Sequence, residues 1–495
     1  MPTNPTAHDS HGPSGTRLWT LIICIAGSIA MAIALGAALL SHHEHVEHNH
    51  APDGWMIGTL PFVLILGAIA LLPLIPKTAG WWHSNLSRFL VSVICSVATL
   101  GYLWIVDGWH AVGLTLDHAV LQEYVPFIVL LFSLYVISGG IHIGGDMRAH
   151  PAVNTGWLAL GAGIASFIGT TGASMLLIRP LLNTNRERTH KVHTVVMFIF
   201  LVSNIGGTLL PIGDPPLFLG YLQGVPFSWT FGLWIEWAVA CCILLAIYFV
   251  WDSMMYAKEP PAVKVFDKAN VQPVSMQGGI NILWLVGVIV CVAAISPGRP
   301  IPGTEIIAFD FLRELGMLGL VALSLVTTRR SVREANKFDY GAIIEVAALF
   351  IGIFIAMQVP LAVLKAQGDS IAAALTETWM YFWITGGLSS VLDNAPTYLV
   401  FFKLAEAGTE PGAPGALELL GGGWISETRL IAISLGAVFM GAMTYIGNGP
   451  NFMVKAIAEQ DGIRMPSFFG YVIRYSIPVL IPVFIIITAL MMWLH

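Results

Sequence analysis

Two long apolar runs of this chain are interrupted by nearly the same polar, helix-breaking sequence. The first interruption is Ile212-Gly213-Asp214-Pro215-Pro216-Leu217-Phe218 and the second is Ile446-Gly447-Asn448-Gly449-Pro450-Asn451-Phe452. An unpaired backbone amide in hydrocarbon costs several kcal/mol, so a chain in lipid tolerates irregular backbone only where it lines a cavity or binds something. The pair therefore restricts the fold to one in which both breaks meet polar partners in the interior.

Lipid is the expected surroundings because of composition. Of 495 residues, 56% are hydrophobic and only 11% charged, against about 25% charged in a soluble domain. Apolar runs of about 20 residues, the length of a membrane helix, recur from end to end. A net charge of −6, thinly spread, gives no footing for nucleic acid. Cys24, Cys95, Cys241, Cys242 and Cys291 all lie inside apolar runs, which predicts free thiols and no disulfide framework.

The runs predict an all-α polytopic membrane protein. Spans are expected near 18–40, 55–75, 86–106, 124–145, 192–222, 228–250, 279–296, 311–327, 341–358, 428–454 and 470–494. Two further runs are interrupted in the middle: 155–182 at Gly169-Thr170-Thr171-Gly172, and 374–403 at Asp393-Asn394-Ala395-Pro396. Read as re-entrant hairpins, they leave eleven spans. With the N-terminus in the cytoplasm, this count puts most of the 23 basic residues inside, including Arg186, Arg188, Lys191, Lys258, Lys264, Lys268, Arg329, Arg330, Arg333 and Lys337. Treating either hairpin as a full crossing would move the 329–337 cluster outside. The C-terminus then lies on the periplasmic side of a bacterial inner membrane.

The first hairpin opens from the cytoplasm and the second from outside, so the halves 55–250 and 279–495 form an inverted repeat. The breaks are offset by 234 residues. Residues 1–54 hold a tail, a retained first span and a His-rich loop; 251–278 form a charged cytoplasmic linker. Inverted repeats with broken helices are the mark of alternating access around a midplane site, and a channel has no need of them.

The pieces Ser203-Asn204-Ile205-Gly206-Gly207-Thr208, Gly213-Asp214-Pro215-Pro216 and Asp393-Asn394-Ala395-Pro396-Thr397 resemble the ion transporter superfamily. That group includes NhaD-type sodium/proton antiporters, arsenite-efflux permeases, and citrate or dicarboxylate carriers. The likeness covers about 55–494 and is nearest the antiporter and arsenite branch and a bacterial group labelled as citrate transporters. It implies a homodimer that moves a transport domain against a scaffold. The chain departs from the antiporter pattern where Thr170-Thr171 replaces an Asp-Asn pair, and from the dicarboxylate pattern of Ser-Asn-Thr at both tips.

The residue types at the breaks fit a dehydrated Na⁺ or Li⁺, which wants hard oxygen ligands. One clamp would draw on Thr170, Thr171 and Ser174 with Asn204, Thr208 and Asp214. The other would draw on Asp393, Asn394 and Thr397 with Thr444, Asn448 and Asn451. Unwound backbone at Gly206, Gly207, Gly213 and Gly447 adds carbonyls. A carboxylate is costly near mid-membrane, and one that takes Na⁺ when ionised and H⁺ when neutral exchanges the two. Asp393 and Asp214 are the candidates, Asp393 first. Either could instead cap the half-helix that follows it, and Pro215-Pro216 make Asp214 the better placed cap.

Glu236, in the run 228–250, is a candidate proton relay or scaffold hydrogen bond. Arg179 and Lys403 could meet a substrate carboxylate, though snorkelling to the near surface is the plainer reading. His42, His43, His45, His48 and His50 form a tract able to take Zn²⁺ or Ni²⁺, or merely a solvated loop. No HExxH, GxSxG or haem-type His pairing occurs, so no enzyme and no resident cofactor is expected. The sequence favours a sodium(lithium)/proton antiporter, with a proton- or sodium-coupled citrate or carboxylate carrier as the alternative.

Overall fold

The computed structural model describes residues 54–82, 84–372 and 375–495. The expected first span, 18–40, and His42, His43, His45, His48 and His50 lie outside the described residues. The chain is 73% helical, and strand is confined to two short ribbons among the described residues. Five helical stretches are long and apolar enough to cross a membrane. It is an all-α membrane protein.

The first half begins with α1 (Trp55–Leu71), α2 (Pro76–Trp82) and α3 (Asn85–Leu116). A loop is expected between 106 and 124, but α3 runs through a π-helical segment, Asp117–Tyr124, directly into α4 (Val125–Ser138). No proline interrupts residues 85–125, and the stretch bends only where Gly108 takes φ 81°. Helix α4 stops at Ser138, short of the expected 145, and His142–Asp146 form β1. The first hairpin is α5 (Pro151–Ile168) and α6 (Thr170–Thr184), separated by Gly169 alone. Its φ of 77° is open to glycine and resisted by other residues. Then α7 (Val192–Leu201) breaks, passes a 3₁₀ turn at Ile205–Thr208, and resumes as α8 (Pro215–Leu222); α9 (Trp234–Ala257) follows.

The linker is more ordered than its charge suggests. It holds α10 (Pro261–Ala269) and β2 (Gln272–Gln277), and β2 pairs antiparallel with β1. The second half has α11 (Ile280–Ala294), α12 (Leu312–Thr327), α13 (Arg330–Ala335), α14 (Gly341–Ala356) and α15 (Gln358–Ala372). Its hairpin is α16 (Thr378–Ser389) and α17 (Asn394–Ala407). A ribbon of β3 (Ala416–Glu418) and β4 (Trp424–Ser426) leads to α18 (Glu427–Met440). The second break follows, then α19 (Gly449–Gln460), α20 (Phe468–Tyr471) and α21 (Ile477–Leu494).

Burial explains where the breaks end up. Every residue of His193–Leu201 and of Leu430–Met440 is buried, as helices apolar on all faces must be. These two helices carry the breaks at their ends, so the breaks lie in the interior. By contrast α1, α3, α11 and α21 expose Leu64, Ile105, Leu283 and Trp493, a surface suited to lipid. Each hairpin packs on the half-helix of the opposite half: α6 on α19, and α17 on α8.

Polar contacts sort the chain into two ends. At one end Trp229 meets Glu427, His495 meets Glu236, and Arg299 meets the Leu420 carbonyl. At the other, Arg88 pairs with Glu345, Tyr135 bonds the Asp339 carbonyl, His142 meets Asn336, and Arg188 pairs with Asp252.

Candidate ion-binding site

The carboxylate of Asp214 is where the four interrupted elements converge. It is 1% exposed. Its Oδ1 accepts from Thr170 Oγ1 of the first hairpin at 2.8 Å and from Asn448 Nδ2 of the second break at 2.9 Å. Its Oδ2 accepts from Asn394 Nδ2 of the second hairpin at 2.8 Å. All three donors are neutral, and among the described residues Asp214 has no ion pair. A buried carboxylate held only by neutral groups keeps its affinity for a cation or a proton.

The capping roles are reversed from the expectation. Asp214 stands at the N-cap position of α8 but makes no side-chain cap. Pro216, at the second helical position where an N-cap side chain finds its donor, offers no N–H, leaving the carboxylate to the hairpins. Asp393 caps α17, accepting from Ala395 N at 3.1 Å.

Amides frame the carboxylate. Asn448 Nδ2 also reaches the Ser203 carbonyl and Asn204 Oδ1, at 3.2 and 3.3 Å. Asn204 Nδ2 donates to the Ile199 carbonyl and to Asn451 Oδ1, at 2.8 and 2.7 Å. Asn451 Nδ2 in turn donates to the Gly441 and Thr444 carbonyls, at 2.8 and 2.9 Å. Asn394 Oδ1 is buried and receives no hydrogen bond, so an acceptor oxygen with no donor sits on the side chain that contacts Asp214.

The hydroxyls mostly serve the backbone instead. Thr208 bonds the Ile205 carbonyl, Thr397 the Asp393 carbonyl, and Thr444 the Ser390 carbonyl. Ser174 pairs with Ser203 at 2.8 Å. Of the twelve polar side chains expected at the clamps, Asp214, Thr170, Asn394, Asn448, Asn204 and Asn451 form one connected set, with Thr171 on the cavity wall. Glu236 is not part of this hydrogen-bonded set: it lies in the first turn of α9 and accepts from His495 at 2.9 Å. Ser166 was not anticipated. It donates to the Gly206 carbonyl at 2.6 Å and accepts from Leu209 N at 2.9 Å, holding the first break in shape. A lone serine in a helix carries no sequence signal for this.

Glycines let the breaks close on themselves in the same way. A Cβ on Gly213 would meet the Gly207 carbonyl, and one on Gly447 would lie 2.6 Å from the Gly441 carbonyl. Both pairs are six residues apart, and they are related by the same 234-residue offset.

A cavity of about 380 Å³ adjoins the site. Thr170, Thr171, Gly213, Pro215, Asp393 and Asn448 line one part of it, and Arg88, Arg179, Lys337 and Asp339 line another. Helices α6 and α19 begin at this wall without side-chain caps. Among the described residues Arg179 makes no hydrogen bond or ion pair, and its Nε is buried.

A family model described as "putative citrate transport" matches residues 52–492. The chain belongs to this family. It is thereby a multi-pass membrane transporter of the citrate transporter group in the ion transporter superfamily. No curated protein matches the transporter's sequence.

Proposed function

We propose that this transporter is a secondary carrier that exchanges Na⁺ or Li⁺ for H⁺ at Asp214 by alternating access. The observation that carries it is the Asp214 carboxylate, buried among neutral donors at the meeting of both hairpins and both breaks. The cycle needs a group that holds a cation when ionised and gives it up on protonation. Asn394 Oδ1 and Asn204 Oδ1 are the oxygens nearest in the network to complete a cation shell. No cofactor is required; cation and proton are the cargo. The halves 55–250 and 279–495 act as the inverted repeat, and the inner bacterial membrane, with a cytoplasmic N-terminus, is the setting. A homodimer is the assembly that the superfamily resemblance implies.

A second reading is Na⁺- or H⁺-coupled carriage of a carboxylate such as citrate. It is favoured by Arg179, which lines the cavity and makes no hydrogen bond or ion pair among the described residues, and by the uncapped starts of α6 and α19, whose N–H groups suit an anion. Proteoliposomes with an acidic lumen and an internal pH dye separate the two. Lumenal alkalinisation on adding Na⁺ or Li⁺, lost in Asp214→Asn, supports exchange. Proton movement on adding citrate but not on adding cation alone, lost in Arg179→Ala, replaces exchange with carboxylate carriage.

A further inference from the structure

A second buried carboxylate, Glu123, lies on the π-helical segment Asp117–Tyr124 with its side chain 3% exposed. Each of its oxygens takes one amide. Gln223 Nε2 donates to Oε1 at 2.9 Å and Gln358 Nε2 to Oε2 at 3.0 Å. Gln223 is the residue that ends α8, and Gln358 begins α15. Among the described residues its one ion-pairing neighbour is the half-exposed His118, at 3.7 Å.

Helix α8 therefore has functional groups at both ends. Asp214 immediately precedes its first residue, and nine residues after Asp214, about 14 Å along the axis, Gln223 is held by Glu123. The same end is tied down further. Tyr221 OH donates to the Val292 carbonyl at 2.7 Å. The Arg313 guanidinium lies over the Phe218 and Tyr221 rings, at 5.9 and 5.6 Å. Meanwhile the cavity reaches the Asp214 neighbourhood from the end marked by Arg88 and Lys337. Glu123 groups with the opposite end.

We infer that Glu123 is a gating residue: its clasp on Gln223 and Gln358 closes the path to Asp214 from the end opposite the cavity, and must release once per cycle. This rests on the transporter reading, but on neither choice of cargo. Two charge-assisted hydrogen bonds are strong enough to hold the end of α8 and few enough to break together. A carboxylate buried on neutral amides is an expensive way to make a permanent contact. A π-helical turn, common at functional positions, is what sets Glu123 between the two glutamines.

The test reads conformation, not cargo. In protein whose five native cysteines are replaced by serine, Thr171→Cys is labelled with a membrane-impermeant maleimide from each face of sealed vesicles. Without further change, labelling is expected mainly from the Lys337 face. Adding Glu123→Ala removes both hydrogen bonds and is expected to raise the rate from the opposite face about a hundredfold, about tenfold for each lost bond. An unchanged ratio of the two rates overturns the gate. Should Glu123→Ala not fold, Glu123→Cys with Gln223→Cys, joined by a reducible cross-linker, takes its place. The joined protein is expected to stop turning over and to recover on reduction; full turnover while joined overturns the gate. Failure of Na⁺/H⁺ exchange would leave the labelling result intact, so the two proposals fail separately.

Discussion

Asn448 donates to Asp214 at 2.9 Å, and the two residues are 234 apart, the offset that relates one break to the other. Equivalent positions of the two halves thus touch each other, one as carboxylate and one as amide. The pairing makes a single centre out of two repeats. It also makes the centre unequal: the carboxylate comes from the first half, and two of the three donors that orient it, Asn394 and Asn448, come from the second.

Replacing that charge is the sharpest test. Asp214→Asn is expected to lower coupled transport on the order of 100-fold, the scale of a positioned proton-carrying group, with the protein still folded by size-exclusion chromatography. Asp393→Asn keeps a good N-cap and is expected to retain most of the activity. The reverse order of effects would move the exchange centre to Asp393.

The amide of Asn394 donates to Asp214 Oδ2, and Asn394→Ala leaves that oxygen without its donor. A loss of about 1–3 kcal/mol is expected, measured as a lower melting temperature in detergent. An unchanged melting temperature would show that this hydrogen bond contributes nothing net.

Glycine substitutions should differ in sign by position. Gly447→Ala places a Cβ 2.6 Å from the Gly441 carbonyl, and overpacking against backbone is expected to cost about 1–3 kcal/mol. Gly213→Ala, against the Gly207 carbonyl, should behave alike. Gly156→Ala, in α5 with nothing within 4 Å of its Cβ, should stabilise by about 0.5–1 kcal/mol. Thermal unfolding of the three variants side by side checks the contrast.

Beside the first hairpin, past the end of α9, Glu259 accepts from the backbone N–H of Thr189 and His190, at 3.1 and 2.8 Å. Burial alone would raise its carboxyl, but these hydrogen bonds outweigh burial and hold it below the ordinary value of 4.5. The stabilisation is therefore complete above pH 4.5 and is lost as pH falls through the lower folded value. Melting temperature against pH should drop in that acidic window in the unaltered protein and drop less in Glu259→Gln. Parallel curves would remove Glu259 from the acid response.

Much of this was legible from residues. The breaks, both hairpins and the near-copy of 212–218 at 446–452 are patterns of glycine, proline and polar residues in apolar runs, and chemistry in hydrocarbon leaves such patterns few meanings. The direction in which Asp214 and Asp393 point was not legible. Both precede half-helices, and at the second helical position the missing N–H of Pro216 and the presence of the Ala395 N–H separate an uncapping carboxylate from a cap. The helix from 109 to 124, beyond the kink at Gly108, was also hidden, since Asp117 and Glu123 read as a loop until Glu123 is seen buried against Gln223 and Gln358.

The inequality of the two breaks bears on energetics. One titrating carboxylate trades one monovalent cation for one proton, so a cycle run by Asp214 alone carries no net charge across the bilayer. Its direction is then set by the chemical gradients of the two ions, and membrane voltage gives it none. A transport rate that responds to an imposed potassium diffusion potential would require a second titrating group in the cycle.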